Sequence, residues 1–393
     1  MNPTKAQMLL SERKKILTET VKHGSPKRIL NCSQTRAWPI SDAGYKLKEA
    51  FSSSEKYKES LFKCQENYDF DMYTSFIRFQ YSITEALGGG GLIINDSKGS
   101  IEYEDTAFMQ ENEYPLLIKQ GLVKFLYEQI FPLKYGLSAT HEESLKMIKS
   151  ALKEQKKLNE LKHEIELTFR NTYGVAKDTN SFLTKTPIDM LCLCLRGVKG
   201  FSKDLRRIDD SVIFEALDAI DGSTALLLDE KLINFEEKDY ILYPNSINST
   251  TVSFLSAKQF EKFDWPYLKK ICDIVVKNNS RSLLFPIGSF SHLTDCFQEL
   301  PKGHFTMIAE MDDIAFLMKK LPNMSFMGGF PTYLLGHATK EECVRKAKEI
   351  IDAYACDRSY IFSTDKMLNV PQDAIGENLR AVNEFVKDYG VYA

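Results

Sequence analysis

No stretch of this chain approaches the roughly 18 consecutive apolar residues that a bilayer-spanning helix needs, so no membrane span is expected. The first residues also lack the apolar centre of a secretory leader: only Met8, Leu9 and Leu10 cluster there, flanked by Lys and Glu. Cys-x-x-Cys pairs are absent. The eight cysteines are spread over the whole chain, which argues against a disulfide framework and makes reduced thiols in the cytoplasm the expectation. An excess of positive charge is missing too. The 51 Lys and Arg against 54 Asp and Glu leave a net charge of −3, without the basic footprint of a nucleic-acid binder. Gly88 to Gly91 precede an apolar run, but no Gly-Lys-Ser/Thr follows, so a flexible turn is expected there and not a phosphate loop.

What is present suits one large globular domain. Hydrophobic residues make up 43% of 393, enough for a sizeable core. Residues 1–25 predict a charged helical extension with Leu9, Ile16, Leu17 and Val21 on one side, ended by Gly24-Ser25-Pro26. A domain over 26–393 follows, with a helical insertion at about 139–171 in which Leu145, Ile148, Leu152, Leu158, Leu161 and Ile165 recur between lysines and glutamates.

In the last third, apolar runs alternate with amphipathic ones. Strands are expected at Ser282–Phe285, His304–Ala309, Met324–Met327 and Ser359–Phe362, each followed by a helix. Thr339 and Glu342 form a capping box at one helix start. Earlier candidates are Arg28–Cys32, Leu92–Asn95, Met190–Leu195 and Tyr240–Tyr243, which bring the strands to eight. Parallel strands with right-handed crossovers then predict an α/β fold, a (β/α)₈ TIM barrel with long insertions in its first half.

Several segments in this order resemble the uroporphyrinogen decarboxylase superfamily, in the long-chain branch related to corrinoid-dependent methyltransferases. They are Glu113–Ile118, Leu195-Arg196-Gly197, Asp204–Arg207, Phe254–Phe263 with Trp265-Pro266, Glu299–Gly303, Gly328–Pro331, Glu377–Ala381 and Tyr389–Tyr392. The resemblance implies a TIM barrel with its site at the C-terminal strand ends. It also implies a small-molecule substrate and a corrinoid carried by a partner protein, with no cofactor bound tightly by this chain.

Two chemistries follow from it. The methyltransferase branch places His-x-Cys at one strand end and a further Cys after the last strand, as zinc ligands. Here those positions read Phe285-Pro286-Ile287 and Ser363-Thr364-Asp365-Lys366, with neither thiolate nor imidazole. His292 and Cys296, four apart, lack a third ligand and are taken as ordinary side chains. The decarboxylase branch binds carboxylates with several arginines, where the loop after the first strand offers Arg36 alone. A methyltransferase-type enzyme without the zinc site is therefore the leading expectation. A carboxy-lyase comes second, and a catalytically degenerate barrel that binds a tetrapyrrole or a corrinoid protein comes third.

Site candidates are polar residues at expected strand ends. Glu310 and Asp365 are the catalytic candidates, and Arg196, Asn95, Asn245, Asn248 and Ser363 the substrate-binding ones. Arg196 and Glu310 are expected to line one cavity, because barrel strand ends converge on a single opening. The purified protein is expected to hold no stoichiometric zinc. Elemental analysis finding about one zinc per chain, lost on His292→Ala, would contradict this.

Overall fold

Thr4 and Gln7 cap the first helix reciprocally: the Gln7 amide donates to Thr4 Oγ1, and the Thr4 amide to Gln7 Oε1. That helix, α1 (Lys5–Val21), turns Leu10, Ile16, Leu17 and Val21 into a core shared with Leu30, Met72, Leu242 and Leu283. In this computed structural model, residues 4–32, 34–73, 78–89, 92–103, 107–135, 141–179, 183–233 and 241–392 are described.

Twelve strands follow among the described residues: β1 Leu30–Asn31, β2 Met72–Tyr73, β3 Leu92–Asn95, β4 Ser100–Tyr103, β5 Ala176–Thr179, β6 Leu183–Lys185, β7 Ile241–Tyr243, β8 Asn245–Ser249, β9 Ser282–Pro286, β10 Phe305–Ala309, β11 Ser325–Phe330 and β12 Tyr360–Thr364. Seven form one parallel sheet in the order β1-β12-β11-β10-β9-β8-β6, and β2-β5-β7 form a second parallel sheet. The chain runs from β7 straight into β8 across Pro244, so one side of the two sheets is continuous. On the other side β1 meets β2 without a ladder. The Asp71 amide donates to the Asn31 carbonyl at 3.0 Å, and Asp71 Oδ2 accepts the Asn31 amide at 2.9 Å. The architecture is TIM-barrel-like and α/β, but the hydrogen-bonded ring is not closed, which corrects the expected closed barrel.

Alternation along the strands separates two cores. Leu283, Phe285, Ile308, Met327 and Ile361 face inward onto the α1 side chains, while Leu284, Met307, Phe326 and Phe362 face the outer helices. Arg281, just before β9, donates to the Leu242 carbonyl and to Thr18 Oγ1 of α1, so α1 covers the N-terminal ends of the strands. The opposite, C-terminal ends are left for the site.

The last four strands lie where the sequence predicts them, and Thr339 with Glu342 forms the expected capping box. Two earlier expectations need correction. Leu92–Asn95 pairs antiparallel with β4 in a separate hairpin, so it belongs to neither parallel sheet. Met190–Arg196 is a π-helical turn and not a strand. A short apolar run does not distinguish a strand from a buried helical turn by periodicity. No described helix is long and apolar enough to cross a membrane.

Asp71 is the polar centre of the β1–β2 junction. Arg13 Nε donates to its Oδ1 at 2.9 Å, Arg28 binds both its oxygens at 2.7 and 2.9 Å, and Arg13 Nη1 reaches the Tyr173 and Gly174 carbonyls. Burial pushes the Asp71 carboxyl up, but Arg28, Arg13 and the Asn31 amide outweigh it and hold it below its ordinary value. Removing one partner of a buried ion pair costs about 3–5 kcal/mol. Asp71→Ala should lose a comparable amount in urea denaturation; a loss below about 1 kcal/mol would show the junction to be held by other contacts.

Candidate active site

Glu310 follows the inward-facing Ile308 by two residues, so strand alternation aims it into the C-terminal mouth. It is half-buried, and the Gly288 amide donates to its Oε2 at 2.9 Å. Burial raises its carboxyl above the ordinary value; the Gly288 amide and Lys366 pull it down, and nearby Asp365 pushes it up. Glu310 Oε1 has no protein donor among the described residues. The group is therefore a mouth carboxyl biased toward its protonated form, with one oxygen free to meet a ligand.

Asp365 stands one residue beyond β12. Its amide donates to the Phe330 carbonyl, and its Oδ1 accepts the Thr332 amide at 2.9 Å and the Thr332 hydroxyl at 2.5 Å. It thereby anchors the turn after β11, and its Oδ2 has no protein donor among the described residues. Ser363 lies two residues past inward-facing Ile361, and Asn248 is on the face opposite outward-facing Ile247. Ser246 Oγ donates to Asn248 Oδ1 at 3.0 Å. Ile287 and Met367 pack on the inner core and give the mouth an apolar floor. Lys366 is exposed and lies 3.6 Å from Asp373.

Four of the sequence candidates, Glu310, Asp365, Ser363 and Asn248, thus share the C-terminal mouth. The other three do not. Arg196 ends the π-helical turn, and its guanidinium is committed to Asp204 at 2.5 and 2.9 Å and to the Met109 carbonyl, with Tyr114 also donating to Asp204. It is a buried clamp between insertion segments, so the expected shared cavity with Glu310 is not formed. Asn95 closes the β3–β4 turn by accepting from Ser97 Oγ and the Lys98 amide. Asn245 is buried within β8, on the outward-facing side with Ile247. Ser33, 74–77 and 180–182, which follow other strands, lie outside the described residues.

Asp312, one of the polar residues at an expected strand end, and two groups that sequence reasoning missed, Asp189 and Asp264, fix the mouth from behind. Asp312 accepts Ser289 Oγ at 2.6 Å and the Phe290 amide at 2.7 Å, pinning the loop after β9. Asp189 accepts the amides of Thr250 and Thr251 at 2.9–3.0 Å. Asp264 Oδ2 accepts Ser249 Oγ at 3.2 Å, while its buried Oδ1 has no hydrogen-bond partner among the described residues. Burial, and then the Asp189 charge, pushes the Asp264 carboxyl up to about 7. No local pattern announces Asp189 or Asp264, because each partner is many residues away.

Two positions named for the zinc ligands of the methyltransferase branch are now placed. Phe285 faces the inner core and Ile287 packs against it, so an apolar surface stands where an imidazole and a thiolate would be needed. His292 Nε2 is 3.0 Å from the Leu255 carbonyl. Among the described residues, no group of three or more His, Cys, Asp or Glu could hold a metal ion. The residues present do not fit a thiolate–imidazole zinc site.

The Asp264 carboxyl makes stability depend on pH. Its folded-state value stands above the ordinary carboxylate range near 4, so its contribution is full below that range and is lost as pH rises through about 7. Asp264→Asn should therefore gain stability relative to the wild type at pH 8 compared with pH 5, measured by urea unfolding. An equal difference at both pH values would refute the shifted carboxyl.

Residues 240–389, which carry β8 to β12 and all four mouth candidates, match the family model described as uroporphyrinogen decarboxylase (URO-D). A curated uroporphyrinogen decarboxylase from Anaeromyxobacter dehalogenans (strain 2CP-C) is 27% identical over 139 residues, covering 35% of this chain and 38% of that protein. The match thus spans well under half of the curated relative's length. In fold, the chain is similar to a methyltransferase from Methanosarcina mazei, with a TM-score of 0.63 and 13% identity over 96% of this chain and 98% of that one. Residues 240–389 thus match the uroporphyrinogen decarboxylase family model, and the chain as a whole shares the fold of that methyltransferase.

Proposed function

We propose that the protein is a methyltransferase-type enzyme that demethylates a small molecule at the C-terminal mouth, with Glu310 as general acid and without a zinc-activated thiolate. The observation that carries this reading is Glu310 itself: half-buried, biased toward protonation, and presenting Oε1 without a protein donor. A corrinoid delivered by a partner protein would supply the methyl-accepting chemistry. This chain's part is to seat the methylated molecule and to deliver a proton. As the bond between methyl and heteroatom breaks, the electron pair stays on the heteroatom and the Glu310 proton passes to it. Ser363 and Asn248 line the same inner face and would hydrogen-bond the molecule, while Asp365 holds the rim and offers Oδ2. The floor of Ile287 and Met367 suits the apolar methyl group.

Among the described residues the rim carries three acidic side chains, Glu310, Asp312 and Asp365, against two lysines: Lys366, turned to Asp373, and Lys185, level with Asn248 in the β6–β8 ladder. The second reading, a carboxy-lyase on a carboxylated substrate, draws support from the curated relative's name. It would need cationic clamps, and Arg196 is committed to Asp204.

The test is methyl transfer from a panel of O-, S- and N-methyl compounds to cob(I)alamin, followed by absorbance. Glu310→Gln should slow turnover of an active compound about 100-fold or more while leaving its binding within about twofold. Turnover unchanged in that variant would remove Glu310 from the chemistry. Decarboxylation of a carboxylated substrate, with no methyl transfer across the panel, would replace this reading by the second.

A further inference from the structure

The Glu310 carboxyl is held by one backbone amide, and that amide belongs to a glycine whose conformation leaves little choice. Gly288 has φ +90°, and a Cβ placed on it would stand 3.0 Å from Ser253 Cβ. The position of Gly288 therefore depends on the turn after β8. The two segments are joined further back as well, because the Ile287 amide donates to the Ser249 carbonyl at 2.9 Å.

That turn has few supports of its own. Ser253 Oγ donates to the Thr250 carbonyl, closing a single 3₁₀ turn over Thr251–Ser253. The free amides at its start are taken by a carboxylate from elsewhere in the chain: Asp189, at the end of the short helix Pro187–Asp189, accepts both Thr250 and Thr251. Asp264, from the π-helical turn Phe260–Asp264, accepts the Ser249 hydroxyl at 3.2 Å and lies 3.5 Å from the Thr251 hydroxyl. Both carboxyl groups are fully buried. Burying two acidic groups behind one turn is costly unless their hydrogen bonds are made. The amide and hydroxyl bonds from the turn fall on residues 249–251, with Thr186 also facing Asp264.

We propose that Asp189 and Asp264 are positioning residues for Glu310, holding the turn 249–253 so that Ser253 and the Ser249 carbonyl fix Ile287 and Gly288, and the Gly288 amide stays on Glu310 Oε2. The inference rests on the reading of Glu310 as the acid of the mouth, but the effect is read without turnover. Loss of the Gly288 hydrogen bond removes an interaction that favours the Glu310 carboxylate, so its titration midpoint moves up.

The experiment is carboxyl ¹³C NMR of the full chain labelled at glutamate Cδ, with the Glu310 resonance identified by its loss in Glu310→Gln. Asp189→Ala removes the acceptor of the Thr250 and Thr251 amides and should raise the Glu310 midpoint by about one pH unit, a tenfold change in its ionisation constant. Asp264→Asn keeps an acceptor for the Ser249 hydroxyl and should leave the midpoint in place, whereas Asp264→Ala should raise it. Ser253→Val lies on the exposed side of the turn, touches neither carboxyl, and presses on Gly288; it should also raise the midpoint. If Asp189→Ala does not fold, Ser253→Val and Asp264→Ala decide. A Glu310 midpoint unmoved in the variants that fold, even with lowered Tm, would reduce both aspartates to structural roles and overturn the proposal. Failure of Glu310→Gln to alter turnover would sink the proposed chemistry and leave this coupling standing.

Discussion

Asp71 sits where the ring of strands has no ladder, and two guanidinium groups from different elements converge on its buried carboxylate. Arg13 comes from α1 and Arg28 from the segment before β1, while the Asn31 amide within β1 takes the remaining lone pair. One side chain thus does what a strand pairing does elsewhere in the ring. It also ties α1 to the N-terminal strand ends, so that Leu10, Ile16 and Leu17 complete the inner core. A buried charge left with half its partners would be worse than none, which makes this junction an all-or-nothing contact.

With the N-terminal end filled by α1, the inner face can turn polar only toward the other end. Going up the strands, Leu283, Phe285 and Ile287 stay apolar, whereas Ile308 gives way to Glu310 and Ile361 to Ser363 and Asp365. The mouth therefore has an apolar wall from β9 and a polar wall from β10 and β12. Its carboxylates are not loose surface charges, because Glu310, Asp312 and Asp365 each accept from the loop of a neighbouring strand. This network gives each loop a fixed place relative to the next, and that is the preorganisation an acid needs at a reacting atom.

How much of this could be read in advance follows from where the information lies. The strands from Ser282 onward are apolar runs bounded by capped helices, and both signals are local, so the strands of the mouth and its Glu310, Ser363 and Asp365 were legible. The first half was not. β2 has two residues, and β5 reads Ala176-Lys177-Asp178-Thr179, whose buried Lys177 lies 3.5 Å from Glu166 on the long insertion helix. Such strands are held by non-local pairing and carry no apolar signature. Met190–Leu195 has the composition of a strand but folds as a π-helical turn around the Arg196–Asp204 pair, a tertiary choice that overrides local preference. Asp189 and Asp264 were invisible for the same reason, since their partners at 249–251 lie 13 to 62 residues away.

The central claim is that ligand chemistry takes place between β8 and β12 at the C-terminal mouth. Carbodiimide footprinting of carboxylates, read by mass spectrometry with and without methylcobalamin, tests that location directly. The account predicts that Glu310 and Asp365 lose reactivity together, while exposed Asp42, bonded to Tyr68 on another part of the molecule, reacts as before. Protection confined to carboxylates outside the mouth, or none at saturating ligand, would contradict it.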